Sequence, residues 1–365
     1  MSVEFIGFVG NHNSSETIPR SGPVIDRGYI ETIAKAHEHV GFDRVLLAFQ
    51  ATSPDSLQVG QHVASVTQKL GVFVAQRPGF TEPTVLARQF ATLDALYPGR
   101  FAINIITGGD HRELIADGNR VAGKDERYAR TGEFLDVFQA ELTSDKPFDY
   151  DGRYYAVRGA HSLVRPEGRA IDIFIAGASD AAIEVAGRHG SYFALWGETH
   201  EQTRELLGKV RAAVAKNGRP EPRYSVSFRP IIADTEEAAW AKADALLERA
   251  RALQDKTGYL RDAAGPQNEG SRRLLAAAAK GDRHDKRLWT ALAELTGARG
   301  NSTALVGTPD QVADALLDYY DLGIHTFLIR GFDPLADAIA YGREILPRVK
   351  VLVAERQRST RVAAA

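Results

Sequence analysis

The residue types in this chain that could do chemistry gather where short apolar runs end. Asn11 and His12 follow the run 3–9, Gln50 and Ser53 follow 44–49, and Asn104 and Thr107 lie in and after the strand-like run 100–108. Gly177 and Ser179 close 171–179, Trp196 closes 191–197, Arg229 lies inside 224–233, and Arg330 closes 325–331. Together they are neutral hydrogen-bond formers and cations with few carboxylates, the lining expected of a pocket for a polar or anionic ligand. Segment 173–186, IFIAGASDAAIEVA, carries an anion-site pattern. Gly177 permits close backbone approach, and Ser179 can cap a helix starting near Asp180 whose unpaired N–H groups suit a phosphate. An ordinary capped helix has the same pattern.

Arg127 and Tyr128, within DERYAR, could bring a guanidinium and a phenol toward such a phosphate, although an amphipathic helix needs only packing and solvation from them. Arg229, between Phe228 and Pro230 in an apolar run, needs a carboxylate or a bound anion. No acidic residue stands beside it in sequence, which favours the anion. Arg299 sits between Gly297 and Gly300 on a loop and could close on an anion through a bidentate contact; a solvent-facing arginine is the plainer alternative. His12 is of the type that serves as acid, base or hydrogen-bond donor near neutral pH, or simply holds a loop.

Other chemistries lack their residues. There is no cysteine, which removes disulfides, thiolate nucleophiles and cysteine-held zinc or iron–sulfur centres. The ten histidines are scattered; His37 and His39 point to different faces of one helix, and His111 beside Asp110 has no second histidine at ligand spacing, so no metal is expected. GFVGNHNSS is not the glycine turn of a dinucleotide-binding unit, and neither a GxSxG elbow nor a GxxxxGK loop occurs. With 45 Lys and Arg against 47 Asp and Glu, net charge −2, no global field favours nucleic acid or an anionic membrane. Glu4 interrupts what would be the apolar core of a signal peptide, so a cytoplasmic protein is expected.

The elements that must position these residues repeat as strand then helix. Eight apolar strands, 3–9, 44–49, 69–76, 100–108, 171–179, 191–197, 224–233 and 325–331, alternate with helical patterns such as 26–39, 84–96 and 126–142. Runs buried on both faces, alternating with helices over one chain, predict an α/β fold: a TIM-type (β/α)8 barrel, with a doubly wound sheet as the alternative. The expected organisation is one barrel over residues 1–350 and a tail over 351–365. Insertions near 108–125, 147–157 and 254–303 belong on the carboxyl-end rim, the last as a mobile lid.

Several segments together carry a family resemblance: FVGNHNSSETIPRSG, PVIDR, AQRPGFTEPTVLARQFATLDALYPGRFAINIITGGD, DERYARTGEF, YYAVRGA, IAGASDAA, LWGE and STALVGTPDQVA. From residue 3 to about 350 the chain resembles the bacterial-luciferase-like flavin monooxygenases, in particular their alkanesulfonate monooxygenase branch. The resemblance implies a TIM-type barrel and reduced FMN (FMNH2) delivered as a diffusible cosubstrate by a separate NAD(P)H-dependent flavin reductase. It also implies O2 as oxidant, a homo-oligomer (dimer or tetramer), and removal of sulfite from an organosulfonate to leave an aldehyde.

By the same resemblance His12 matches the histidine after strand one, and Asn104, Thr107, Tyr128 and Ser179 match flavin or phosphate contacts, with Gly177 beside them. Trp196 matches a pocket wall and Arg299 the arginine of the mobile loop. The substrate region departs from the branch. Ser53 stands where a cysteine is usual, Ser227, Phe228 and Arg229 replace Arg-Leu-His, and Arg330, Gly331 and Phe332 replace Ser-Gly-Tyr. Arg229 and Arg299 would still hold a sulfonate, with Arg330 nearby, and Asn11, Gln50, Ser53 and Trp196 would suit the hydroxyls and ring of a sugar sulfonate such as sulfoquinovose. A small alkanesulfonate, a coenzyme F420- or flavin-dependent oxidoreductase without oxygenation, and a non-catalytic small-anion binder are the alternatives.

Overall fold

Each apolar run forms a strand at or within its expected place. In the computed structural model these are β1 (Glu4–Phe8), β2 (Arg44–Leu47), β3 (Gly71–Gln76) and β4 (Phe101–Ile105), then β5 (Phe148–Asp151), β6 (Ala156–Ala160), β7 (Asp172–Ala176), β8 (Tyr192–Trp196) and β9 (Arg223–Phe228). Four short strands follow, β10 (Ile231–Ile232), β11 (Arg283–His284), β12 (Leu288–Trp289) and β13 (Ala304–Gly307), before β14 (Thr326–Ile329). The structure describes all residues except 1, 109–110, 120, 122, 168, 259–267, 301 and 364–365.

The helices are α1 (Arg27–His39), α2 (Ser56–Val66), α3 (Pro83–Leu96), α4 (His111–Ala116), α5 (Lys124–Thr143), α6 (Asp180–His189) and α7 (His200–Lys216). They continue with α8 (Glu236–Thr257), α9 (Glu269–Ala278), α10 (Ala291–Thr296), α11 (Pro309–Asp321), α12 (Pro334–Glu344) and α13 (Leu346–Ala363). Caps written in the sequence start several of them. Asp26, Asp55, Ser179, Thr235, Asn268, Thr308 and Asp333 each accept an N–H from the first turn of the helix that follows.

Eight strands close a parallel barrel in the order β1-β14-β9-β8-β7-β4-β3-β2. β3 shows why they read as apolar runs. Val72 and Val74 turn outward against Gly60 of α2, while Phe73 turns inward, its ring centroid 4.1 Å from that of Phe174. Phe174 in turn stacks on Tyr192, centroids 3.9 Å apart and planes 11° apart, so both faces of the sheet are dry.

By internal contacts the chain divides into two units: Met1–Val45, Ala194–Leu207 and Arg223–Ala365 in the first, Leu46–Phe193 and Gly208–Pro222 in the second. In the first, the expected single strand 224–233 is two. Pro230 has no N–H to offer a ladder, so β9 ends at Phe228 and β10 pairs instead with β13 in a small sheet of order β10-β13-β12-β11. Within 254–303 lie the end of α8, α9, β11, β12 and α10, and Trp289 and Leu292 are buried in a cluster with Ala243, Leu246 and Phe332. The segment thus contains folded core as well as polar turns. Residues 259–267 and 301 of the expected lid, and 109–110, 120 and 122 of the expected insertion 108–125, lie outside the described residues. The insertion at 147–157 forms the antiparallel pair β5 and β6 in the second unit. No described helix is long and apolar enough to cross a membrane.

Candidate active site

In the second unit Thr107, Tyr128, Gly177 and Ser179, four of the five expected flavin contacts, form one group, and the fifth, Asn104, lies on the strand that leads to it. Asn104 lies in β4, in register with Ala75 of β3 and Phe174 of β7, so it shares their inward face. Its Oδ1 is buried and has no hydrogen-bond partner among the described residues. Thr107, just past β4, hydrogen-bonds the Tyr128 phenol, which donates to the carbonyl of Ala176 at 3.2 Å. Burial pushes the Tyr128 pKa up, against the opposing pull of Thr107 and Arg127, so the phenol keeps its proton and acts as a neutral donor.

Gly177 follows Ala176 at φ +130°, a conformation that only glycine adopts readily. A Cβ there would overlap the Tyr128 Oη and lie 2.8 Å from the Ala182 Cβ. Ser179 caps α6, its Oγ accepting from Ala182 N at 3.4 Å; the first N–H groups of a helix have no acceptor within it. A strand end, a cramped glycine and a capped helix start therefore meet around one buried phenol.

Gln50 and Ser53 lie on one turn after β2. Ser53 N donates to the Gln50 carbonyl at 3.0 Å, and its Oγ lies 3.4 Å from Gln50 Oε1. Each is therefore partly engaged with the other.

In the first unit the expectation for Arg229 is corrected. Its side chain is 1% exposed, and Nη1 lies 2.6 Å from Glu16 Oε2. Nη2 donates to the Gly331 carbonyl at 2.9 Å and the guanidinium lies 3.8 Å from the Phe332 ring centroid. The carboxylate that its flanking sequence lacks arrives from the loop after β1. Arg229 is thus a sealed, paired cation rather than one presented to a ligand. Arg330 shares Glu16, with Nη2 3.2 Å from Oε1, but its side chain is 26% exposed. Burial alone would raise the Glu16 carboxyl; Arg229 and Arg330 overcome that and bring its pKa down to about 2. Glu16 was not singled out from sequence because nothing but the fold brings residues 16, 229 and 330 together.

His12, half-buried, places Nδ1 3.1 Å from the Val24 carbonyl. A carbonyl only accepts, so Nδ1 carries the hydrogen and the neutral ring leaves Nε2 as its lone pair. Asn11 holds the same loop through its carbonyl, which accepts from Asp26 N at 2.8 Å. Trp196, at the end of β8, packs beside Leu274, Ala293 and Ala298, and Gly270 of α9 lies so close that an added Cβ would sit 3.1 Å from the indole. Arg299 is half-buried and follows Ala298, which is held at φ +52° between Gly297 and the arginine.

One further element missed from sequence is the Arg273 junction. Arg273 of α9 donates to both Glu198 oxygens, to Glu205 at 2.9 Å and to the Gln202 carbonyl at 2.8 Å. It ties α9 to the segment just after Trp196. Among the described residues no group of three or more His, Asp or Glu side chains is arranged to hold a metal ion.

The profile of the luciferase-like monooxygenase family matches residues 3–326. The chain belongs to that family. Among solved structures it is similar to EDTA monooxygenase (EmoA) from Chelativorans sp. BNC1, with a TM-score of 0.77 at 21% identity over 96% of this chain and 94% of that one. A riboflavin lyase (RcaE) solved with modified FMN and riboflavin gives 0.77 at 22% identity over 98% and 92%. DmoA from Hyphomicrobium sulfonivorans gives 0.76 at 21% over 98% and 89%. At these identities the likeness is one of fold.

Family membership supports a flavin-dependent monooxygenase or oxidoreductase reaction, with reduced FMN and O2 as cosubstrates; a separate flavin reductase is typical of such enzymes. The residues present fit such a group. The unpartnered Asn104 Oδ1 can accept an N–H, and the space a Cβ would fill at Gly177 lies beside the Tyr128 phenol and the start of α6, where a phosphate finds backbone donors.

Proposed function

We propose that this member of the family is a two-component monooxygenase that desulfonates an organosulfonate, with a sugar sulfonate such as sulfoquinovose as the favoured substrate. The observation that carries the reading is the partly exposed guanidinium of Arg330 after β14, beside the buried Glu16–Arg229 pair. Arg229 and Arg330 both engage Glu16, but Arg229 is sealed against it while the Arg330 side chain is 26% exposed, so of the two guanidiniums Arg330 is the one within reach of a ligand. A guanidinium at a strand end offers the planar pair of donors that suits a sulfonate.

Reduced FMN, held by Asn104, Thr107, Tyr128, Gly177 and Ser179, would supply two electrons and activate dioxygen. The reaction then yields sulfite, an aldehyde and water, one oxygen atom of O2 going to the carbon and the other to water. The chain's own part is binding, orientation and exclusion of solvent. Arg330 takes the sulfonate, with Arg299 closing on it, while Arg229 fixes Glu16 and through it the orientation of Arg330. His12 Nε2 is a base that can hold a proton released as the aldehyde forms. Asn11, Gln50, Ser53 and the Trp196 indole offer hydroxyl and ring contacts suited to a sugar. The oligomer and the reductase partner expected from the sequence belong to this proposal.

Anaerobic titration with reduced FMN and a panel of sugar and alkyl sulfonates, followed by admission of oxygen, tests the reading. Saturable binding of both, with sulfite formed fastest from the sugar sulfonate, supports it; sulfite only from short alkyl sulfonates moves the substrate to the alternative.

A further inference from the structure

Arg77 stands one residue beyond β3 and before Pro78. A residue preceding proline is biased to extended backbone, so Arg77 prolongs the strand and keeps its alternation. It therefore shares the inward face with Phe73 and Ala75, and Ala75 is in register with Asn104 of β4. The guanidinium is set firmly. Its side chain is 5% exposed, Nη2 donates to Glu113 Oε2 at 2.8 Å, and its Cζ lies 5.0 Å from the Phe49 ring centroid. Glu113 is itself fixed by Ala51 N at 2.6 Å. The turn behind it is pinned too: Arg130 donates to the Pro78 carbonyl at 2.8 Å, and Gly79, at φ +95°, leaves no room there for a Cβ.

Yet Nε and Nη1 of Arg77 are buried without a hydrogen-bond partner among the described residues. Leaving charged donors unsatisfied is costly, and here a guanidinium fixed by a carboxylate and a ring keeps two N–H positions that no described residue satisfies. Asn104 Oδ1, one β-repeat or about 7 Å back along the same face, is likewise unsatisfied. Buried donors and a buried acceptor on one wall complement a ring edge that alternates carbonyl, N–H and carbonyl.

We propose that Arg77 is a flavin-binding residue that donates to a carbonyl oxygen of the pyrimidine ring while Asn104 accepts the ring N–H, and that it selects the reduced form. Reduced flavin carries its negative charge on that ring, so a guanidinium favours it over the neutral oxidised ring. This rests on the flavin reading above.

The test is the affinity of wild type, R77Q and E113Q for three probes under anaerobic conditions: reduced FMN, reduced riboflavin, which has no phosphate, and oxidised FMN. Binding is followed by quenching of tryptophan fluorescence. R77Q is expected to weaken both reduced ligands by about tenfold or more and oxidised FMN by less. E113Q, which keeps the guanidinium and removes its counter-charge, should bind reduced flavin as well as wild type or better. Equal losses in R77Q and E113Q, or no loss in R77Q, would overturn the proposal, as would a loss confined to FMN, which would move Arg77 to the phosphate. If R77Q does not fold, E113Q decides: weaker binding of reduced flavin by a folded E113Q counts against it. Wild-type protein that binds none of the probes would instead overturn the flavin reading itself.

Discussion

Glu16 and Arg229 form an ion pair of 2.6 Å in which the arginine is sealed from solvent and the carboxylate nearly so. Removing one partner of such a pair strands the other charge, so Glu16→Gln should destabilise the fold by about 3–5 kcal/mol. The Glu16 pKa falls from 4.5 to about 2 on folding, so the stability it contributes is fully present above pH 4.5 and lost as pH falls through 2. Urea unfolding of wild type and E16Q between pH 2 and pH 7 should show the two converging at the acid end; a constant gap would contradict the pairing.

His37 gives a second pH effect with a separate cause. Burial lowers its pKa to about 4, although its Nδ1 hydrogen bond to the Ile33 carbonyl pulls the other way. The unfolded chain takes up a proton near 6.5, so stability falls as pH drops from 6.5 to about 4 and then levels off from this source. The ring also fills the space over Gly7, where a Cβ would overlap its Cδ2 and Nε2. Gly7→Ala should therefore cost about 1–3 kcal/mol, and combining it with His37→Ala should recover part of that loss. Additive losses in thermal unfolding would count against the contact.

The barrel was legible because its strands are short apolar runs that alternate with helical patterns, and Ser179 marked where a helix begins. The flavin-side group was partly legible: Tyr128 and Gly177 stood out by type, while the fit between them depends on the backbone at φ +130°. Arg229 shows the limit. A buried guanidinium in an apolar strand announced that it needed a counter-charge, but local sequence could not say that Glu16 supplies it. The strands β11 and β12 have two residues each, too few to show any period, and so 254–303 read as a polar excursion with one short apolar stretch.

Gly177→Ala tests the flavin cradle. The added methyl would force Tyr128 away from Ala176 and strain the backbone, with little core lost. Affinity for reduced FMN should fall by about tenfold or more, while the unfolding midpoint shifts far less than in E16Q. Undiminished binding, measured by anaerobic fluorescence titration, would remove these residues from the site.

Arg273 should govern the segment 254–303. Its bonds to Glu198, Glu205 and Gln202 anchor α9 beside Trp196, so Arg273→Met should speed proteolytic cleavage within 254–303 and shift the Trp196 emission. Reduced FMN together with substrate should slow cleavage of the wild type. Equal cleavage rates with and without both ligands would contradict a closing role for this segment.

Sulfite release tests the central claim most directly. With reduced FMN, oxygen and sulfoquinovose, wild-type protein should release one sulfite for each substrate consumed, well above a peroxide control lacking the protein, with a sharp loss in Arg330→Met. No sulfite above that control from any sugar or alkyl sulfonate, despite flavin oxidation, would contradict it.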